Sequence, residues 1–268
     1  MCDANRSSQW AKTLNFNGIS KTPKQFIEAI GALSNDLEQL IIQGGEPSIM
    51  KEYELYFAIL EKKNIINNVH ISVITNLTNI NTKFYRLLKK FKSVNLSVSI
   101  DAYGKINDYI RWPSKFKKID SNLLQICKNK DYQNISTINI MNTINILSLF
   151  DYSSFLEWAY RMEKICNENN KVFQIYNAPV NSPSFLDPII APIKLKEKFI
   201  TDLKTFFKQN NLGQRQRFRS NITLYARYLK NSTISNEKMS RFRNEIDNMD
   251  KERNTNISKF IPNFHQYI

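Results

Sequence analysis

Apolar residues recur along this chain at two spacings. Some short stretches alternate them with polar residues, while longer stretches repeat them every three or four positions. Alternation is clearest in VNLSVSIDAYG (94–104), where Val94, Leu96, Val98 and Ile100 take every second place before a turn. EQLIIQGG (38–45), VHISVITN (69–76), ISTINIMNTINI (135–146) and KVFQIYNAP (171–179) also read as strands, bounded by Gly, Asn or Pro. Helical spacing predicts helices over 22–33, 52–63, 82–91, 118–129 and 151–169. The first opens with Thr22-Pro23, a start signal, and then sets Phe26, Ile27, Ile30 and Leu33 on one face.

Strand and helix therefore alternate, which predicts parallel strands joined by helical crossovers. After about residue 190 the strands stop. LKEKFITDLKTFFKQNN and SNEKMSRFRNEIDNMDKERN read as helices on the outside. The expected division is a partial barrel over 1–190 and a helical extension over 191–268. No repeat of solenoid period occurs. The longest apolar runs, such as IIAPI (189–193), are too short to span a bilayer, and no basic-then-apolar leader opens the chain.

Composition narrows the class further. With 42% hydrophobic residues in 268, the chain has enough apolar material for a core. Its net charge of +14 fits a polyanion partner such as nucleic acid, above all around Arg215, Arg217, Arg219, Arg227, Arg241 and Arg243. The spread of the lysines in a chain rich in Asn, Lys and Ile favours the other reading, a solvated surface. Three cysteines, Cys2, Cys127 and Cys166, form no CxxC pair and suit a reducing cytoplasm. Cys127 and Cys166 fall on apolar helix faces and read as core. His70 and His265 have no partner at metal-ligand spacing.

In parallel α/β folds ligands bind beyond the carboxyl ends of the strands. That singles out Gln43-Gly44-Gly45-Glu46-Pro47, Thr75-Asn76, Ser99, Asp101 and Asn142-Thr143. Two glycines let backbone approach a ligand closely, and the Glu46 carboxylate suits an ammonium group. Asp101 offers two acceptor oxygens to a ribose diol, and Ser99 adds a hydroxyl. Each piece alone is also an ordinary strand-end turn.

In order, MCDANRSSQW, LIIQGGEPSIM, VITNLTNI, LSVSIDAYGKINDYIRWPSKFKKI, INIMNTINI, YNAPVNSPSFLDPIIAPIKLKEK and DNMDKER resemble the radical S-adenosylmethionine (SAM) superfamily, most closely its twitch-domain-containing branch. The resemblance covers almost the whole chain. It implies a partial (β/α)6 TIM-like barrel, a [4Fe-4S] cluster held by a CxxxCxxC motif, and reductive cleavage of SAM to a 5′-deoxyadenosyl radical. The substrate would be a peptide, nucleotide or small molecule, and the electron donor flavodoxin or ferredoxin. By position, Cys2 matches the third cluster cysteine. Gly44, Gly45, Glu46 and Pro47 match the segment that meets the SAM ammonium group. Ser99 and Asp101 match the ribose strand, and Arg111 is the candidate partner of the SAM carboxylate. Thr75, Asn76 and Asn142 are lesser candidates for the cavity wall.

The chain departs from the family pattern at its start. It opens one residue before the third cysteine, without the first two cluster cysteines or the first barrel strand. This predicts a member truncated within the motif, or else a cluster-less relative acting by binding. It also predicts an unpaired edge on the strand carrying Leu40, Ile41 and Ile42.

Overall fold

The computed structural model describes residues 24–180, 182–210, 216–232 and 235–268, with only the backbone described for 216–221 and 224. Its centre is one sheet of five parallel strands: β1 (Gln39–Ile42), β2 (His70–Thr75), β3 (Ser93–Ser99), β4 (Ile135–Ile144) and β5 (Val172–Pro179). They lie in chain order, β1-β2-β3-β4-β5. All five strands expected from the alternation are present, and the chain is α/β with a helical segment after β5.

Register follows from the pleat. Ile71 stands beside Val94, Val73 beside Leu96 and Thr75 beside Val98. All six are buried and all but Thr75 are apolar, so this face of β2 and β3 is an apolar layer that ends at the Thr75 hydroxyl. The residues between them, Ser72, Ile74, Ser93, Ser97 and Ser99, are half-buried, and most are polar. Most parallel sheets bury apolar side chains on both faces, so a half-buried, mostly polar second face is a departure from that pattern.

Helices α1 (Lys24–Leu33), α2 (Lys51–Lys62), α3 (Lys83–Leu88), α4 (Gly104–Ile110), α5 (Phe116–Lys128) and α6 (Tyr152–Glu168) connect the strands. Helices α7 (Ile193–Gln209), α8 (Gln216–Asn231), α9 (Asn236–Glu252) and α10 (Phe264–Tyr267) follow β5. In α2, Glu52 and Glu54 occupy the first turn and Lys62 the last, which complements the helix dipole. Helix α3 starts where the Thr82 hydroxyl accepts the Tyr85 N–H. It ends earlier than its sequence pattern, because Lys90 and Phe91 bond back to Leu87 and Leu88 in tighter turns. Short α4 escapes the periodicity altogether.

The contacts divide the chain into two compact units. The first contains the described residues up to Ser99 with Ile119–Ile140 and Ile165–Gln174; the second contains Ile100–Lys118, Met141–Lys164 and Ile175–Ile268. Phe57 anchors the first core, with ring centroids 5.4 Å from Phe84 and 4.8 Å from Phe91. In the second, Tyr152 meets Phe199 at 5.3 Å and Phe116 meets Trp158 at 5.4 Å. Among the described residues β1 ends the sheet, and Ile41 is 64% exposed while Ile42 is buried. No helix among the described residues is long and apolar enough to cross a membrane.

Leu96, fully buried on the central strand, gives a direct test of this core. Leu96→Ala is expected to lower unfolding free energy by about 2–5 kcal/mol. Urea denaturation should show a lower midpoint at unchanged slope.

Candidate functional site

In the first unit the strand ends are organised around one carboxylate. After Ile42 the chain leaves the β region, and Gly44 takes φ +114°, a conformation that side chains disfavour. A Cβ there would touch nothing within 4 Å, so it is the backbone geometry that demands glycine. Gln43, Gly44 and Gly45 are exposed. Glu46 then caps a short 3₁₀ turn, Pro47–Ile49, with proline at its first position, where no N–H is needed.

The Glu46 side chain does more than cap. Oε1 accepts the Ser48 N–H (3.2 Å), the Ser48 hydroxyl (2.7 Å) and the Thr75 hydroxyl (2.8 Å). Oε2 accepts the Asn76 N–H at 2.6 Å. Since the single Thr75 proton goes to Glu46, the Tyr85 hydroxyl 3.1 Å away must donate to Thr75. Burial, followed by the Glu46 charge, raises the Tyr85 pKa and keeps that phenol protonated.

Beyond β2 the backbone is strained. Leu77 has φ +54°, uncommon for a branched side chain, yet is wholly buried. Its N–H donates to Thr75 Oγ1 (3.0 Å) and its carbonyl accepts from Asn122 Nδ2 (2.8 Å). The Asn76 side chain closes an Asx turn by accepting from the Thr78 N–H and hydroxyl. Strain held by several bonds at a strand end is a common mark of a functional site.

The second unit has its own carboxylate. Asp101, 4% exposed, follows β3 rather than lying on it. Its Oδ1 accepts Arg111 Nη2 and the Thr143 N–H, both at 3.0 Å. Arg111 Nε lies 2.8 Å from Oδ2 as an ion pair, but off the line of a hydrogen bond. The Asp101 backbone is equally fixed: its N–H donates to Asn107 Oδ1 (3.0 Å), and its carbonyl accepts from Ser148 Oγ (2.9 Å). Arg111 caps the end of α4 and is partly exposed, leaving guanidinium donors toward solvent.

The remaining sequence candidates fall differently. Asn142 is enclosed, its amide donating to the Ile100 carbonyl (2.9 Å) and accepting from the Tyr152 hydroxyl (2.9 Å). Thr75 is likewise buried on the apolar face and bonds inward to Glu46. Ser99 ends β3 half-buried on the polar face. Cys2 lies outside the described residues, as do Arg215 and the side chains of Arg217 and Arg219. Of the other arginines, Arg243 binds the Ile268 carbonyl (2.6 Å), and Arg241 faces Glu245 and the Phe185 ring.

Sequence reasoning missed how α4 is braced. The Tyr109 hydroxyl donates to Asp250 (2.9 Å), and Arg253 donates to the Tyr109 carbonyl (2.8 Å) with its guanidinium 5.2 Å from the ring. The signal was DNMDKER near the end, legible as a motif but not as a brace. Among the described residues no group of three or more His, Cys, Asp or Glu is placed to hold a metal.

Comparison with known proteins gives one family. The model of the Radical SAM superfamily matches residues 1–148. The chain is also similar to solved structures of anSMEcpe with bound AdoMet, at 18% identity and TM-score 0.43, covering 70% of this chain and 51% of that one. A structure of anSMEcpe with bound AdoMet and Kp18Cys peptide matches at 19% identity and TM-score 0.42, with the same coverage. The chain thus spans about half the length of these proteins. No curated protein sequence matches it.

Glu46→Ala leaves the Asn76 N–H and the Thr75 hydroxyl without their acceptor. It is expected to cost about 3 kcal/mol or more in chemical denaturation, and Glu46→Gln, which keeps one carbonyl oxygen, about half as much. An alanine variant as stable as the parent would remove Glu46 from its holding role.

Proposed function

Because this chain belongs to the Radical SAM superfamily, we propose that it binds SAM through its strand-end loops and serves a radical SAM enzyme of the twitch-domain-containing branch. The family match carries this reading, since residues 1–148 include Gly44 to Pro47, Asp101 and Arg111. Such an enzyme cleaves SAM reductively to a 5′-deoxyadenosyl radical and acts on a peptide, nucleotide or small molecule. A cytoplasmic setting and a flavodoxin or ferredoxin reductant belong to the same proposal.

The described residues do not fit an iron–sulfur cluster. Cubane clusters are held by several thiolates. Cys127 and Cys166 are buried against one another, and Cys2 lies outside the described residues.

SAM presents an ammonium, a carboxylate and a ribose diol. The exposed backbone of Gln43, Gly44 and Gly45 offers carbonyl acceptors for the ammonium, and Glu46 Oε2, with one donor bound, retains a second acceptor site. Asp101 Oδ2 carries no aligned hydrogen bond from Arg111 and is the acceptor we assign to a ribose hydroxyl. Arg111 retains donors for the carboxylate, while Asp101 fixes its guanidinium plane. In this reading Glu46 and Asp101 first position loops and then contact ligand with what acceptor capacity remains.

Anaerobic calorimetry with SAM and with S-adenosylhomocysteine tests the assignment. Asp101→Ala is expected to weaken binding about tenfold or more, equivalent to about 1–3 kcal/mol. Arg111→Lys should weaken it less, because the charge stays and the fork is lost. Equal affinity in Asp101→Ala and the parent would remove Asp101 from the site. After reconstitution with iron and sulfide, the chain alone is expected to carry well under a full cluster. About four irons per chain, lost on Cys2→Ala, would contradict that.

A further inference from the structure

Two cysteines that the SAM reading does not use meet inside the first unit. Cys127 lies in the last turn of α5 and Cys166 in the last turn of α6, 39 positions apart. Their sulfurs are 3.1 Å apart, and the residues are 2% and 0% exposed. A disulfide needs about 2.05 Å, so roughly 1 Å of closure separates the pair from a bond.

The surroundings hold the sulfurs in place. The Cys166 carbonyl accepts from the Asn169 N–H (3.0 Å) and the Lys171 N–H (2.9 Å), while Asn170 turns into the left-handed region at φ +56°. This closes α6 immediately after the cysteine. The side chain of Lys171 is buried and donates to the carbonyls of Tyr132 (2.7 Å) and Ile135 (2.9 Å). Its charge favours a thiolate where two helix C-termini would otherwise oppose one. The hydrogen bond from the Cys166 thiol pulls the Cys127 pKa down; burial works against this, and Lys171 and Lys128 assist. Burial in turn lowers the Lys171 pKa, and the two sulfurs partly restore it.

We propose that Cys127 and Cys166 are an oxidation site that forms a reversible intramolecular disulfide, with a small hydroperoxide as the two-electron oxidant. The Cys127 thiolate attacks the peroxide oxygen, the O–O bond breaks, and Cys127 becomes a sulfenic acid as the departing hydroxide is protonated to water. The Cys166 sulfur then attacks the sulfenic sulfur, the S–S bond forms, and a second water leaves with the remaining thiol proton. Two thiols and one hydrogen peroxide thus give one disulfide and two waters. Burial favours a small oxidant over a bulky disulfide. The link ties the last turns of α5 and α6 and closes a long loop, which stabilises the fold by restricting the unfolded chain.

The test uses the full chain carrying Cys2→Ala, so that the pair supplies the only thiols. The reduced protein is treated with hydrogen peroxide under native conditions, alkylated and digested without reductant. Mass spectrometry should find the Cys127 peptide joined to the Cys166 peptide, with no alkylatable thiol left. The thermal midpoint should rise by about 5 °C or more and fall back on adding dithiothreitol. In Cys166→Ser, dimedone should trap Cys127 as the sulfenic acid. Mapping on the parent needs no cysteine-pair variant to fold. Two thiols still alkylatable after peroxide, a link only between chains, or Cys127 oxidised to sulfinic acid without a cross-link would each overturn the proposal.

Discussion

The Glu46 carboxylate joins the ends of two neighbouring parallel strands. Parallel strands all finish at the same edge, with no tight turn to pair their last backbone groups. Here the loop after β1 supplies an acceptor to the loop after β2: one carboxylate takes the Asn76 N–H and the Thr75 hydroxyl together with two donors of its own turn. The strained Leu77 backbone depends on that arrangement, because its N–H leans on the same Thr75 oxygen. With Thr75 committed to Glu46, Tyr85 is committed to Thr75, and burial fixes its proton. A chain of single-proton choices thus sets the shape of the loops.

The second unit repeats the principle with different parts. Asp101 is held through its N–H, its carbonyl and its carboxylate, and it returns that order to Arg111. Helix α4, which Arg111 ends, is steadied in turn by Asp250 and Arg253 through Tyr109. The groups assigned to ligand are therefore already held in place by other bonds. Pre-ordering of this kind lowers the entropic cost of binding, since the side chains need not be fixed again when ligand arrives.

Much of this was legible in the sequence. Strict alternation marked β2, β3 and β4, because a half-buried pleat must sort its side chains by face. The Gly44-Gly45 pair was legible as a place where backbone can approach a ligand, whereas the φ of +114° that requires glycine at Gly44 shows only in the structure. Less legible was which way a strand-end polar group points. Thr75 and Asn142 have the composition of cavity wall, but their register sets them on the apolar face, where they bond inward. The short α4 gives too few residues for a period to show. The Asp250–Tyr109 brace and the Cys127–Cys166 contact join positions 141 and 39 apart, and no local pattern encodes such distances.

In the proposed function, SAM binding engages the loop after β1 in the first unit and the loop after β3 in the second, each taken by itself. Hydrogen–deuterium exchange of the chain with and without SAM tests it most directly, because it reads each loop separately. Slower exchange with SAM is expected in residues 43–50 and in 99–111, with the ends of α5 and α6 around Cys127 and Cys166 unchanged. Protection confined to the helices after β5, with both loops exchanging at their free rates under saturating SAM, would contradict it.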